Sequence, residues 1–92
     1  MISDAALVRL DIVEALLAQG QTKQIVDIAA RLFRVFKNAG MITGALTAIA
    51  YMREAASTGR LTPSGVNAVR SYLRRAERQR ELPFVPPPEP PR

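Results

Sequence analysis

Ser57-Thr58-Gly59-Arg60-Leu61-Thr62-Pro63-Ser64-Gly65 is the stretch whose reading decides the fold. Gly59 stands where a helix begun near Thr43 needs a left-handed residue just past its end. Thr62 then offers a hydroxyl to the first turn of a new helix. Pro63 fills the first helical position, where a missing N–H costs nothing. Two helices, 43–57 and 63–81, therefore meet at a short joint, and each carries an apolar stripe that needs a partner.

Upstream of this hairpin the 3.6-residue period predicts two more helices. Helix 4–19 begins at a cap from Ser3 or Asp4 and stops at Gly20. Ile2, Ala6, Leu10, Val13 and Leu17 line one face of it, and Ala5, Val8, Ile12 and Ala15 lie nearly opposite. Asp4, Asp11 and Glu14 occupy one flank between the patches, and Arg9 the other. One stripe is enough for a surface helix of a monomer, so two stripes suggest burial on both sides. The alternative is that the smaller second set is simply exposed. Helix 23–39 is the most amphipathic, with Ile25, Ile28, Ala29, Leu32, Val35, Phe36 and Ala39 in a broad arc.

The hairpin helices differ in texture. The first, led in by Met41 and Ile42, presents Ala45, Ala48, Ile49, Met52 and Ala56. Gly44, Ala45, Ala48, Ala55 and Ala56 make its contact side small enough for a close helix neighbour. Tyr51 lies off that stripe as a rim residue. The second helix has a narrower stripe of Val66, Val69, Tyr72, Leu73 and Ala76, with arginines over the rest of its surface. Pro83 is expected to end it. The tail that follows holds six of the seven prolines and is expected to be extended or without regular structure. The expected architecture is all-α: a compact four-helix domain, residues 1–81, with short loops and a proline-rich extended C-terminal tail, residues 82–92.

Composition bounds the chemistry. The chain has 92 residues, 48% of them hydrophobic, and only five aromatic rings, so aliphatic side chains must do the packing. That much aliphatic surface on so short a chain favours a homodimer or a standing protein partner. With no Cys and no His, disulfides, thiol chemistry, Cys/His zinc sites and imidazole bases are excluded. The glycines do not space into a phosphate-cradling loop, and the acids match no metal-binding loop. The expectation is a non-enzymatic protein with no catalytic residue, cofactor or metal. The first residues carry an acid where a secretory signal needs basic groups, and no apolar run is long enough to span a bilayer. A cytoplasmic location with no membrane partner is expected.

Two functional readings remain. Net charge is +5, with +1 in residues 1–59 and +4 in residues 60–92, where every basic residue is Arg. The hairpin has the gross form of a helix-turn-helix, and Arg60, Asn67, Arg70, Arg74, Arg75 and Arg78 are its candidate nucleic-acid contacts. Against this, such a helix normally reads DNA with its N-terminal half, whereas these arginines cluster late. The favoured reading is a small regulatory or adaptor protein acting through protein–protein contacts. Val8, Ile12 and Ala15 on the first helix and Leu82, Phe84 and Val85 in the tail are its candidate contacts. Leu82 and Phe84 have an alternative role, folding back on the helix 2–helix 4 surface. The string Gln79-Arg80-Glu81-Leu82-Pro83-Phe84 also resembles the peptides by which bacterial replication proteins bind the sliding clamp. Those peptides pair a Gln with a following Leu and a terminal Phe, at a spacing that differs from the one here.

Overall fold

The computed structural model describes residues 4–40 and 43–87. Four helices follow in order: α1 (Asp4–Ala18), α2 (Thr22–Asn38), α3 (Thr43–Ser57) and α4 (Pro63–Ala76). This is a compact four-helix all-α domain with short loops. The Ser3 cap, Ile2 in the first stripe, the Met41–Ile42 lead-in and tail residues 88–92 lie outside the described residues. The side chains of Asp4 and Ala5 do as well.

The loops obey local chemistry. Gly59 has φ +71°. Around it the Arg60 N–H donates to the Ala55 carbonyl at 2.7 Å and the Gly59 N–H to Ala56 at 3.1 Å. Those two bonds take up carbonyls that the end of α3 leaves without helical partners. Gly20 repeats the arrangement after α1, with Gln21 donating to Leu16 and Gly20 to Leu17. The Thr62 hydroxyl accepts from the Gly65 N–H at 3.0 Å, with Pro63 at the first position of α4. Leu61, between these signals, is buried and closes the core over the joint.

The helices pack as a ring: α1 against α2 and α4, and α3 against α2 and α4. Leu17, Ile25, Ala56 and Leu61 converge at one end, which gathers the end of α1, the start of α2, the end of α3 and the lead into α4. Thr43 and Gly44 meet residues 80–84 at the other end. Successive helices therefore run up and down. The most extensive contact joins α2 and α3. Ala45, Ala48 and Ala56 of α3 are buried, and small side chains let neighbouring backbones come close. Ala6, Leu10, Val13, Ile25, Leu32, Ile49, Met52, Val69 and Leu73 complete the core.

Two expectations need correction. Val35 and Ala39 belong to the α2 arc by period, yet both are exposed, Val35 by 54%. The arc is wider than the two neighbouring helices can cover. The second correction is at α4, which ends at Ala76 and not at residue 81. A helix continued to residue 81 would rise about 1.5 Å per residue and carry the following segment away from the bundle. It would also align Arg74 with Arg78, a like-charge pair one turn apart. Instead the Arg78 N–H tightens the end of the helix by donating to the Arg75 carbonyl three residues back, and residues 80–84 return beside Thr43 and Gly44.

Candidate functional surface

The turn after Ala76 has a destination. Residues 82–87 carry no helix or strand, and Leu82, Pro83 and Phe84 lie beside the start of α3. Phe84 is 9% exposed, and its ring centroid lies 5.4 Å from those of both Tyr51 and Tyr72. The Tyr72 ring meets it nearly edge-on, at 82°, an orientation the ring quadrupoles favour. The Tyr72 hydroxyl donates to the Leu82 carbonyl at 2.7 Å. Room for that hydroxyl comes from Gly44, where an added Cβ would overlap the Tyr72 oxygen and approach the Leu82 carbonyl. Burial pushes the Tyr72 phenol above its ordinary pKa, because the charged form would lose its hydration. An open groove of about 530 Å³ remains between Thr43, Gly44 and Thr47 on one side and Arg80–Phe84 on the other.

These facts place the tail residues individually. Phe84 folds back, onto α3 and α4 and not onto the helix 2–helix 4 surface of the sequence reading. Leu82 is half-buried beside it, and Val85 stays 75% exposed. The ring that would anchor a clamp-like peptide is thus occupied within the protein's own fold.

The outer face of α1 is different. Its inner side supplies Ala6, Leu10 and Val13 to the core, while Val8 is 55% and Ile12 46% exposed. Ala15 is exposed on the same face, one turn further on. The flank of that face is fixed by Arg70 of α4. Its guanidinium donates to Asp11 Oδ1 at 2.8 Å, Glu14 Oε1 at 2.5 Å and Asn67 Oδ1 at 2.7 Å. The Arg70 side chain is 14% exposed, against 71% for Asp11 and 41% for Glu14. Arg70 therefore spends its charge tying α4 to α1. Arg60, Asn67, Arg74, Arg75 and Arg78 are exposed, the last three together where α4 ends.

Sequence reasoning missed Gly44, Arg70 and Leu61 in their structural roles. Only the pairing of helices α1 and α4 brings Arg70 to Asp11, 59 residues away. Among the described residues no group of three or more Asp, Glu, His or Cys side chains is placed to hold a metal ion. Among the described residues no helix is long and apolar enough to cross a membrane. Comparison of the chain with protein-family models, curated proteins and solved structures finds no match.

Proposed function

We propose that the protein is a small, non-enzymatic regulator or adaptor of the cytoplasm that acts through protein–protein contacts, as a homodimer built on the outer face of α1. The observation that carries this reading is the exposure of Val8 and Ile12. They sit one turn apart on a helix whose opposite face is already committed to the core. Contiguous apolar side chains of that size mark contact surfaces more often than scattered ones do. Val85 and the prolines around it extend the adaptor reading to the C-terminal segment. Leu82 and Phe84 are held against the bundle, so Val85, 75% exposed, is the apolar side chain that this segment leaves for a partner.

Light scattering at tens of micromolar tests the assembly directly, with a two-chain mass expected for wild type and a one-chain mass for Ile12→Glu. A one-chain mass for wild type would overturn the proposal. Duplex DNA binding is the competing function, and the joint exposure of Arg74, Arg75 and Arg78 favours it. Salt-sensitive retention on duplex DNA, lost in the triple Arg→Ala variant, would move the conclusion there.

A further inference from the structure

Val8, Ile12 and Ala15 of α1 follow one another at intervals of four and three residues, and all three are exposed. This is the spacing of a coiled-coil seam, in which each layer lies against a layer of a second helix. On a helix of 3.6 residues per turn, Arg9 sits about 60° to one side of Ile12 and Asp11 about 100° to the other. The seam is therefore edged by opposite charges.

Two copies of one helix face can meet about a two-fold axis in two ways. When the axis runs along the helices they are parallel, and the left flank of one meets the right flank of the other. When the axis crosses them they are antiparallel, and like flanks meet. The antiparallel form centred on Ile12 would bring Asp11 against the partner's Asp11 and put both Arg9 side chains on the opposite flank. The parallel form sets each Arg9 flank beside the partner's Asp11. Asp11 can take part because its carboxylate, though bridged to Arg70, is still 71% exposed. On that flank Asp11 and Glu14 together outnumber the one guanidinium of Arg70.

We propose that the occupant of this face is a second copy of the chain, paired through α1 in parallel and in register, Val8 on Val8 and Ala15 on Ala15. The inference rests on the dimer reading above and adds its geometry. The seam is short against the roughly 800 Å² per partner of a standard interface, so the dimer is expected at the weak end of the range. A consequence follows for the arginines. The start of α1 and the end of α4 lie at the same end of the bundle. A parallel dimer gathers both sets of Arg74, Arg75 and Arg78 at one end, whereas an antiparallel dimer would hold them apart.

The protein contains no cysteine, so a single introduced thiol reports on one layer only. Val8→Cys and Ala15→Cys replace exposed side chains, and a disulfide needs Cα atoms within about 7 Å. Under mild oxidation each variant is expected to cross-link with itself, and an equal mixture is expected to give no mixed dimer. Arg9→Glu is expected to weaken the dimer on the order of tenfold, from two symmetry-related sites of reversed charge. Mixed Val8–Ala15 disulfides would overturn the parallel arrangement and leave the homodimer standing. A two-chain mass with no cross-link at either position would overturn α1 as the interface. A one-chain mass for wild type would overturn the dimer itself.

Discussion

Replacing Phe84 with Ala asks whether the segment after α4 belongs to the fold. Full burial of a Phe side chain is worth about 1.5–3 kcal/mol, and a core Phe→Ala change costs about 3–5 kcal/mol once cavity terms are added. Here the ring is 9% exposed and touches two tyrosines, each contact adding about 0.5–1.5 kcal/mol. A discount applies, because the ring anchors a terminal segment and does not sit between fixed helices. When the anchor goes, Leu82–Val85 can leave, recovering about 1–2 kcal/mol of backbone entropy per residue. The Tyr72–Leu82 hydrogen bond, worth about 1 kcal/mol, is then lost as well. The balance is a destabilisation of about 2 kcal/mol, which for a domain of this size lowers Tm by about 8–16 °C. Urea unfolding followed by far-UV circular dichroism measures it, and the slope should fall slightly because the segment is already released. Val85→Ala, at a side chain 75% exposed, should stay within about 0.5 kcal/mol. A chain ending at Glu81 should lose about as much as Phe84→Ala, since both release the same segment. A Phe84→Ala loss below about 0.5 kcal/mol, with an unchanged slope, would refute the account.

Gly44→Ala should destabilise the domain, although Ala outranks Gly in a helix by about 1 kcal/mol, because the new methyl overlaps the Tyr72 hydroxyl. The cost should shrink in a Tyr72→Phe background, and a double-mutant cycle with no coupling would count against the close approach. The raised Tyr72 pKa makes a prediction about alkali. The unfolded phenol ionises first, so stability is complete below about pH 10 and falls as pH rises through the folded value. Ionisation also removes the proton donated to Leu82. Urea midpoints measured above and below pH 10 should diverge for wild type and converge for Tyr72→Phe. Ultraviolet titration of the two proteins should assign the late-ionising phenol to Tyr72.

Legibility differed between the parts of the molecule for reasons that can be named. The joint 57–65 was readable because its signals are local: a positive-φ glycine, a hydroxyl reaching three residues on, and a proline where no N–H is needed. The core stripe of α4 was readable because Val66, Val69, Tyr72, Leu73 and Ala76 repeat at the helical period, and all five are buried. The outward patch of α1 could be named but not judged. Periodicity marks which side chains share a face, and says nothing of whether a neighbour covers it.

The end of α4 shows the other limit. Sequence alone placed the stop at Pro83, since nothing local forbids a helix through Arg80 and Glu81. Tertiary structure ended it at Ala76, because Phe84 reaches Tyr51 and Tyr72 only if the chain turns back. Arg70 is a similar case: in sequence one arginine among several on a polar face, in the fold a clasp across helices. The amino-acid order thus determined the four helices through short-range dihedral and hydrogen-bond preferences, and the inward faces of α3 and α4 through the helical period. Which arginine turns inward and which aromatic ring closes the end of the bundle were decided by the fold, since both contacts are made across helices. Long-range proximity exists only after the helices have packed.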